Sequence, residues 1–214
     1  DGRTLAALKK NSDDSFSVLL SAPDGSDARS IVSTRITEPT LQWRTATGLA
    51  ITSRRADRAG YDLSLMDTQG AVSTLLSNKE NLETRWSPDG DYLLYSYFSS
   101  TNGVSLWLRS LATGREVPLG LATGARKCAW HSAGHSITCG IPIRKSLSRD
   151  TPTDQTATVD DIYTYDLENT TLRLIYGGSN SSLIGVTDPL VSVSGQFLVF
   201  TNMFESRLYI LPLE

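Results

Sequence analysis

Apolar residues along this chain alternate with polar ones in short runs, and the runs come in pairs around turn residues. The clearest pair is Leu82-Glu83-Thr84-Arg85-Trp86 and Tyr92-Leu93-Leu94-Tyr95, joined by Ser87-Pro88-Asp89-Gly90-Asp91. Proline fixes φ at the first central turn position, and Gly90 supplies the left-handed conformation that closes a tight hairpin. A second pair follows, Leu106-Trp107-Leu108 and Val117-Pro118-Leu119, joined through Thr113-Gly114. Period-two alternation bounded by turn residues predicts strands, and no window sustains the 3.6-residue period of a helix.

The pattern recurs. Trp43, Trp86 and Trp130 stand 43 and 44 residues apart, each at the end of a short alternating run that leads into a turn and another apolar run. Weaker copies are Val191-Ser192-Val193-Ser194-Gly195-Gln196-Phe197-Leu198-Val199-Phe200 and, without its first strand, Asp1-Gly2-Arg3-Thr4-Leu5-Ala6-Ala7-Leu8. The second strand pair also returns, as Val18 to Val32, Leu63 to Leu75 and Ile162 to Ile175. Four strands in about 43 residues is the arithmetic of a β-propeller blade. The expected architecture is therefore all-β, one propeller domain over 1–214, with four-stranded antiparallel blades near 1–36, 37–80, 81–123, 124–180 and 181–214. A β-sandwich would supply similar strands without the fixed period. The first copy lacks its opening strand and the last is one strand short, so the expected parent has about six to eight blades, with sequence missing upstream.

Trp86-Ser87-Pro88-Asp89-Gly90-Asp91-Tyr92-Leu93-Leu94-Tyr95, followed by Leu106-Trp107-Leu108 and Ala112-Thr113-Gly114, resembles the TolB-like or PD40 (WD40-like) propeller repeat. The resemblance is strong over 81–123 and loose elsewhere, since the full Ser-Pro-Asp-Gly turn occurs once. It implies a cell-envelope or other extracytoplasmic setting, protein–protein binding and no cofactor.

Several residues admit a functional role and a plainer one. Cys128 and Cys139 are equidistant from the turn centre between Ala133 and Gly134, so they stand opposite one another on a hairpin, near disulfide distance. A bridge would point to an oxidising compartment, and two separate buried thiols are the alternative. His131 and His135 between them give a spacing that invites zinc, but as replacements for Ser87 and Asp91 they are expected to face solvent, away from the cysteines. Trp43, Trp86 and Trp130 read as packing between blades, and Trp107, outside that register, as surface-accessible.

The fourth copy carries an insertion, Arg144 to Thr158, rich in Ser, Thr, Asp and Arg. In a propeller the second-to-third strand (B–C) loops and the blade-to-blade (D–A) crossovers share one face, where long loops tend to carry function. Arg54, Arg55, Arg58, Arg144, Lys145, Arg149 and Asp154 form the candidate partner-binding set there, near Lys9, Lys10, Asp13, Asp14 and Asp57. A merely solvated loop is the competing reading.

Composition changes this picture little. The chain is 39% hydrophobic and 20% charged with a net charge of −3, which gives no support to nucleic-acid binding. No apolar run reaches the length of a membrane-spanning helix, so direct membrane insertion is not expected. No nucleophile elbow, Asp box, paired glycosidase carboxylates, phosphate loop or dinucleotide fingerprint occurs. The expected function is a non-catalytic scaffold for a protein partner, free of metal and cofactor. A propeller gating a larger hydrolase and a carbohydrate-binding propeller are the alternatives.

Overall fold

The structure, a computed structural model, describes residues 2–54, 60–145, 158–177 and 183–213. Among these residues there are seventeen β-strands, no α-helix and a single short 3-10 turn at Ala125–Lys127. The chain divides into two compact units, Asp1–Leu82 and Glu83–Glu214.

The first unit contains a three-stranded sheet, β1 (Leu5–Lys10), β2 (Phe16–Ser21) and β3 (Arg29–Thr34), paired in that order. Next come β4 (Thr37–Thr45), β5 (Gly48–Arg54), β6 (Tyr61–Asp67) and the first half of β7 (Val72–Trp86). All neighbours are antiparallel. Alternation decides the core: Val18 and Leu20 from one sheet meet Leu49, Ile51 and Met66 from the other. Gly70 fits because its Cα lies against the Ile31 carbonyl, where a Cβ would fall 2.3 Å from the oxygen.

The second unit holds three sheets. The second half of β7 leads into β8 (Tyr92–Ser99), β9 (Gly103–Ser110) and β10 (Glu116–Pro118). The fourth sheet is β11 (Cys128–Trp130), β12 (Ser136–Lys145), β13 (Thr158–Asp166) and β14 (Thr171–Tyr176), and the fifth is β15 (Val186–Val191), β16 (Phe197–Asn202) and β17 (Arg207–Pro212). Leu94, Leu106, Leu119 and Leu121 of the third sheet pack on Cys128, Ile137 and Cys139 of the fourth. The opposite face of the fourth, with Ala129 and Ile162, packs on Val186, Leu198 and Phe200 of the fifth. Each fully buried aliphatic side chain contributes roughly 2 kcal/mol by removal from water. The outward face of the fifth sheet is left exposed, with Ile210 at 65% and Leu208 at 68%, whereas Leu106 and Ile162, which take the place of Leu208 in the third and fourth sheets, are 0% exposed.

Both ends of these sheets follow from the strand order. The first-to-second (A–B) and third-to-fourth (C–D) strand turns lie at one end, and the B–C loops and D–A crossovers at the other. The A–B turns are copies of one another. Gly90 N–H donates to Ser87 O, Gly134 N–H to His131 O and Gly195 N–H to Ser192 O, at 2.9, 2.9 and 2.8 Å. The three glycines have φ of 77°, 74° and 75°, a region that disfavours any side chain. Each A–B turn then accepts a bond from the residue that follows the third strand, through Leu111 N–H to Asp91 O, Leu167 N–H to His135 O and Leu213 N–H to Gln196 O, all 2.9 Å.

Candidate functional site

The expected cysteine pair is a disulfide. Cys128 and Cys139 are register partners on β11 and β12, their Cα atoms are 4.0 Å apart, and both are buried in the core between the third and fourth sheets. The bridge fastens the inner strand β11, only three residues long, to the sheet behind it.

The histidines part company. His135 is exposed and its Nδ1 is 2.6 Å from Glu168 Oε1. His131 does not face solvent as its turn position suggested. Its ring turns inward, half-buried, and Nε2 lies 2.8 Å from Thr138 Oγ1, which in turn meets Thr164 Oγ1 at 2.8 Å. At the same turn position Ser87 is short enough to bond its own turn, accepting the Tyr92 N–H. The longer imidazole reaches instead for the buried threonine on β12. Burial, and then the nearby Arg173 charge, hold His131 below its ordinary value. Among the described residues no group of three or more metal-ligating side chains is assembled.

The tryptophans share a register without sharing an environment. Trp130 packs against the cluster between the third and fourth sheets, Trp86 is half-buried, and Trp43 is 37% exposed. Trp107 is less accessible than its position outside the repeat suggested. It is half-buried and stacks with Tyr95 and Tyr97 at ring separations of 6.4 and 6.2 Å.

Of the candidate partner-binding residues, Arg54 ends β5 and forms a long ion pair with Glu38, 3.7 Å, both side chains partly exposed. Glu38 also accepts the Tyr61 hydroxyl, which raises the tyrosine above its ordinary value. Arg144 and Lys145 close β12. Arg55, Arg58, Arg149 and Asp154 lie outside the described residues, as does most of the insertion.

The crossover end of the second unit holds a polar cluster that local motifs did not mark. Asp160, fully buried at the start of β13, accepts both of its bonds to Lys127 Nζ at 2.8 and 2.7 Å, one from Thr158 Oγ1 at 2.9 Å and one from Val186 N–H at 2.7 Å. A buried carboxylate is tolerated only when so fully satisfied. Gly140 makes room for this arrangement, since a Cβ there would fall 2.7 Å from the Val186 Cβ. One sheet earlier, Glu83 Oε2 accepts the Arg126 N–H at 3.2 Å and the Ser96 hydroxyl at 3.4 Å, while Ser96 Oγ accepts the Ala125 N–H at 2.9 Å. Each crossover is thus pinned by an acidic side chain reaching from the preceding sheet.

Arg85 crosses over this frame. Its side chain is 28% exposed, its Nη2 donates to Arg126 O at 3.3 Å, and Asp188 Oδ1 is 4.0 Å away. Burial lowers the arginine from its ordinary value, Asp188 opposes that effect, and Arg126 reinforces it. Arg126 itself is exposed, held by its backbone alone, and no carboxylate within 4.0 Å of its guanidinium appears among the described residues. At the same end Phe98, Val104, Ile143 and Leu183 are 38, 41, 40 and 59% exposed. A signal for these residues exists in the repeat: Glu83, Lys127 and Asp188 each stand three positions before Trp86, Trp130 and Val191.

No family model matches this chain, and no curated protein does. Solved structures do. Oligogalacturonate lyase from Vibrio parahaemolyticus is 12% identical with a TM-score of 0.64, over 94% of this chain and 55% of that one. TolB from Acinetobacter baumannii is 16% identical with a TM-score of 0.55, over 97% of this chain and 53% of that one. The β-propeller domain of the trilobed protease from Pyrococcus furiosus is 14% identical with a TM-score of 0.62, over 99% and 66%. The chain thus spans little more than half the length of the first two. The fold is that of a TolB-like β-propeller built of antiparallel blades, as the repeat implied.

Proposed function

We propose that this propeller is a non-catalytic, extracytoplasmic scaffold that binds a protein partner through the crossover end of its second unit. The observation that carries the reading is the contrast between the two ends of the same sheets. At one end the A–B turns close on themselves through repeated backbone bonds and accept a further backbone bond from the residue after each third strand. At the other, a half-buried arginine, an exposed arginine and four exposed apolar side chains stand on strand ends and crossovers, the crossovers being held by bonds to Glu83, Ser96 and Asp160. Exposed apolar groups on a rigid frame are what interfaces use, because little ordering entropy is lost on binding.

The setting is supported by the Cys128–Cys139 disulfide, which persists where thiols are oxidised, and by the TolB-like fold. Propellers also serve in enzymes, and one similar structure is a lyase. In this chain the ionisable side chains of the cluster are spent on structure: Asp160 on Lys127 and Val186, Glu83 on Arg126 and Ser96. That favours binding over catalysis.

The test uses affinity capture from the native compartment with two variants of equal thermal stability. Val104→Glu with Ile143→Glu should abolish recovery of the partner, and Val193→Glu at the turn end should leave it intact. Loss with Val193→Glu alone would move the interface to the opposite end.

A further inference from the structure

We infer that Arg85 and Arg126 together receive a carboxylate from an acidic, aliphatic peptide segment of the partner, a reading that rests on the crossover end being the docking surface. Three observations support it. The Arg85 guanidinium is fixed against the Arg126 carbonyl, so the two cations belong to one place on the surface. Asp188 is the one carboxylate among the described residues within 4.0 Å of Arg85, and it is itself 80% exposed. Arg126 is anchored by its backbone to Glu83 and Arg85, leaving its guanidinium to project without an ion pair among the described residues.

The third cation nearby does not compete, because Lys127 is neutralised by Asp160 at 2.7 Å. Glu83, whose Oε2 accepts the Arg126 N–H and the Ser96 hydroxyl, adds a second negative charge near Arg85. Asp188 and Glu83 thus offset the Arg85 charge, and the Arg126 guanidinium is left without a carboxylate within 4.0 Å among the described residues. A planar guanidinium held in place takes a carboxylate through two parallel hydrogen bonds, and its partial desolvation strengthens them. The incoming carboxylate would give Arg126 the ion pair it lacks among the described residues. The apolar side chains of Phe98, Val104, Ile143 and Leu183 at the same end suit aliphatic residues flanking the acid, which favours a peptide over an acidic sugar.

The probe is a fluorophore-labelled pentapeptide, acetyl-Leu-Glu-Val-Asp-Leu-amide, with its Gln/Asn counterpart as control, titrated by fluorescence anisotropy. The acidic peptide should bind, more weakly as salt is raised, and the amide counterpart roughly tenfold less tightly, the cost of one charge-assisted pair. Arg126→Gln should weaken the acidic peptide by a similar factor at unchanged melting temperature, while Arg115→Gln at the turn end should have no effect. Arg85→Gln should do the same, and if it unfolds the protein, the Arg126→Gln result decides alone. Equal binding of the two peptides, or indifference to Arg126→Gln, would overturn the assignment. So would displacement of the acidic peptide by trigalacturonate at matched charge, which would mark an acidic-sugar site. Failure of the peptide while the native partner is still lost with the Val104 and Ile143 changes would refute the carboxylate chemistry and leave the docking surface standing. Failure of both would refute the surface itself.

Discussion

The third, fourth and fifth sheets end in two different ways although the same strands run to both ends. At the turn end, closure is local. Ser87, His131 and Ser192 occupy the same place, the glycine three positions later has nearly the same positive φ and bonds back to it, and longer-range backbone bonds then tie each turn to the residue after its third strand. At the crossover end, closure is long-range. Lys127 meets Asp160, Glu83 meets Arg126, and Arg85 reaches toward Asp188, each between different sheets or across a strand pair. A turn closed on itself has few polar groups left to offer, whereas a crossover clamped from behind can hold outward-facing side chains in fixed positions. The comparison teaches that side chains reaching from another sheet anchor the crossover end, whereas backbone bonds do most of the anchoring at the turn end.

Breaking the crossover clamp should have the largest effect. Lys127→Ala leaves the fully buried Asp160 without its cation and should cost about 3–5 kcal/mol in denaturant unfolding. Replacing both residues with apolar ones, Lys127→Met with Asp160→Leu, should restore much of that loss while the Val186 N–H goes unpaired. Removing the disulfide should come next. Cys128→Ala with Cys139→Ala should lower stability by roughly 2–3 kcal/mol on chain-entropy grounds, measured against the oxidised protein.

The turn end should respond more weakly and more uniformly. Ala in place of Gly90, Gly134 or Gly195 forces a side chain into positive φ and should cost about 1 kcal/mol at each, by thermal unfolding. Unequal costs would show that the three turns are not equivalent. The smallest effect is the pH dependence of one turn. His131 is held below its ordinary value by burial and by Arg173, so the folded protein binds this proton less well than the unfolded chain. Its contribution is therefore complete above the ordinary histidine range and is lost as pH falls toward the lowered folded value. Melting temperature should drop between about pH 7 and about pH 5, and His131→Ser, the residue of the neighbouring turns, should flatten that drop.

The same contrast explains what could be read from the sequence. Turn chemistry is encoded within a few residues, so Pro88 and Gly90 announced the hairpin, and equal distances from its centre paired Cys128 with Cys139. Period alone carried the fold, through Trp43, Trp86 and Trp130. Environment did not follow from period: Trp43 is exposed where Trp130 is packed, and His131 turned inward because imidazole reaches Thr138 where serine cannot. The crossover cluster stayed hidden because its bonded partners are far apart in sequence and no local motif joins them. Arg85 and Arg126 come together only when one sheet stacks on the next. Counting three residues back from each inner-strand end would have found Glu83, Lys127 and Asp188.

The most direct test of the asymmetry places a photo-crosslinking amino acid at one exposed apolar site on each end, Val104 or Val193, in protein expressed in its native compartment. The account predicts that Val104 yields a crosslink to a specific protein, that Arg126→Gln reduces it, and that Val193, although 91% exposed, yields none. A crosslink to the same protein from Val193 and none from Val104 would contradict it.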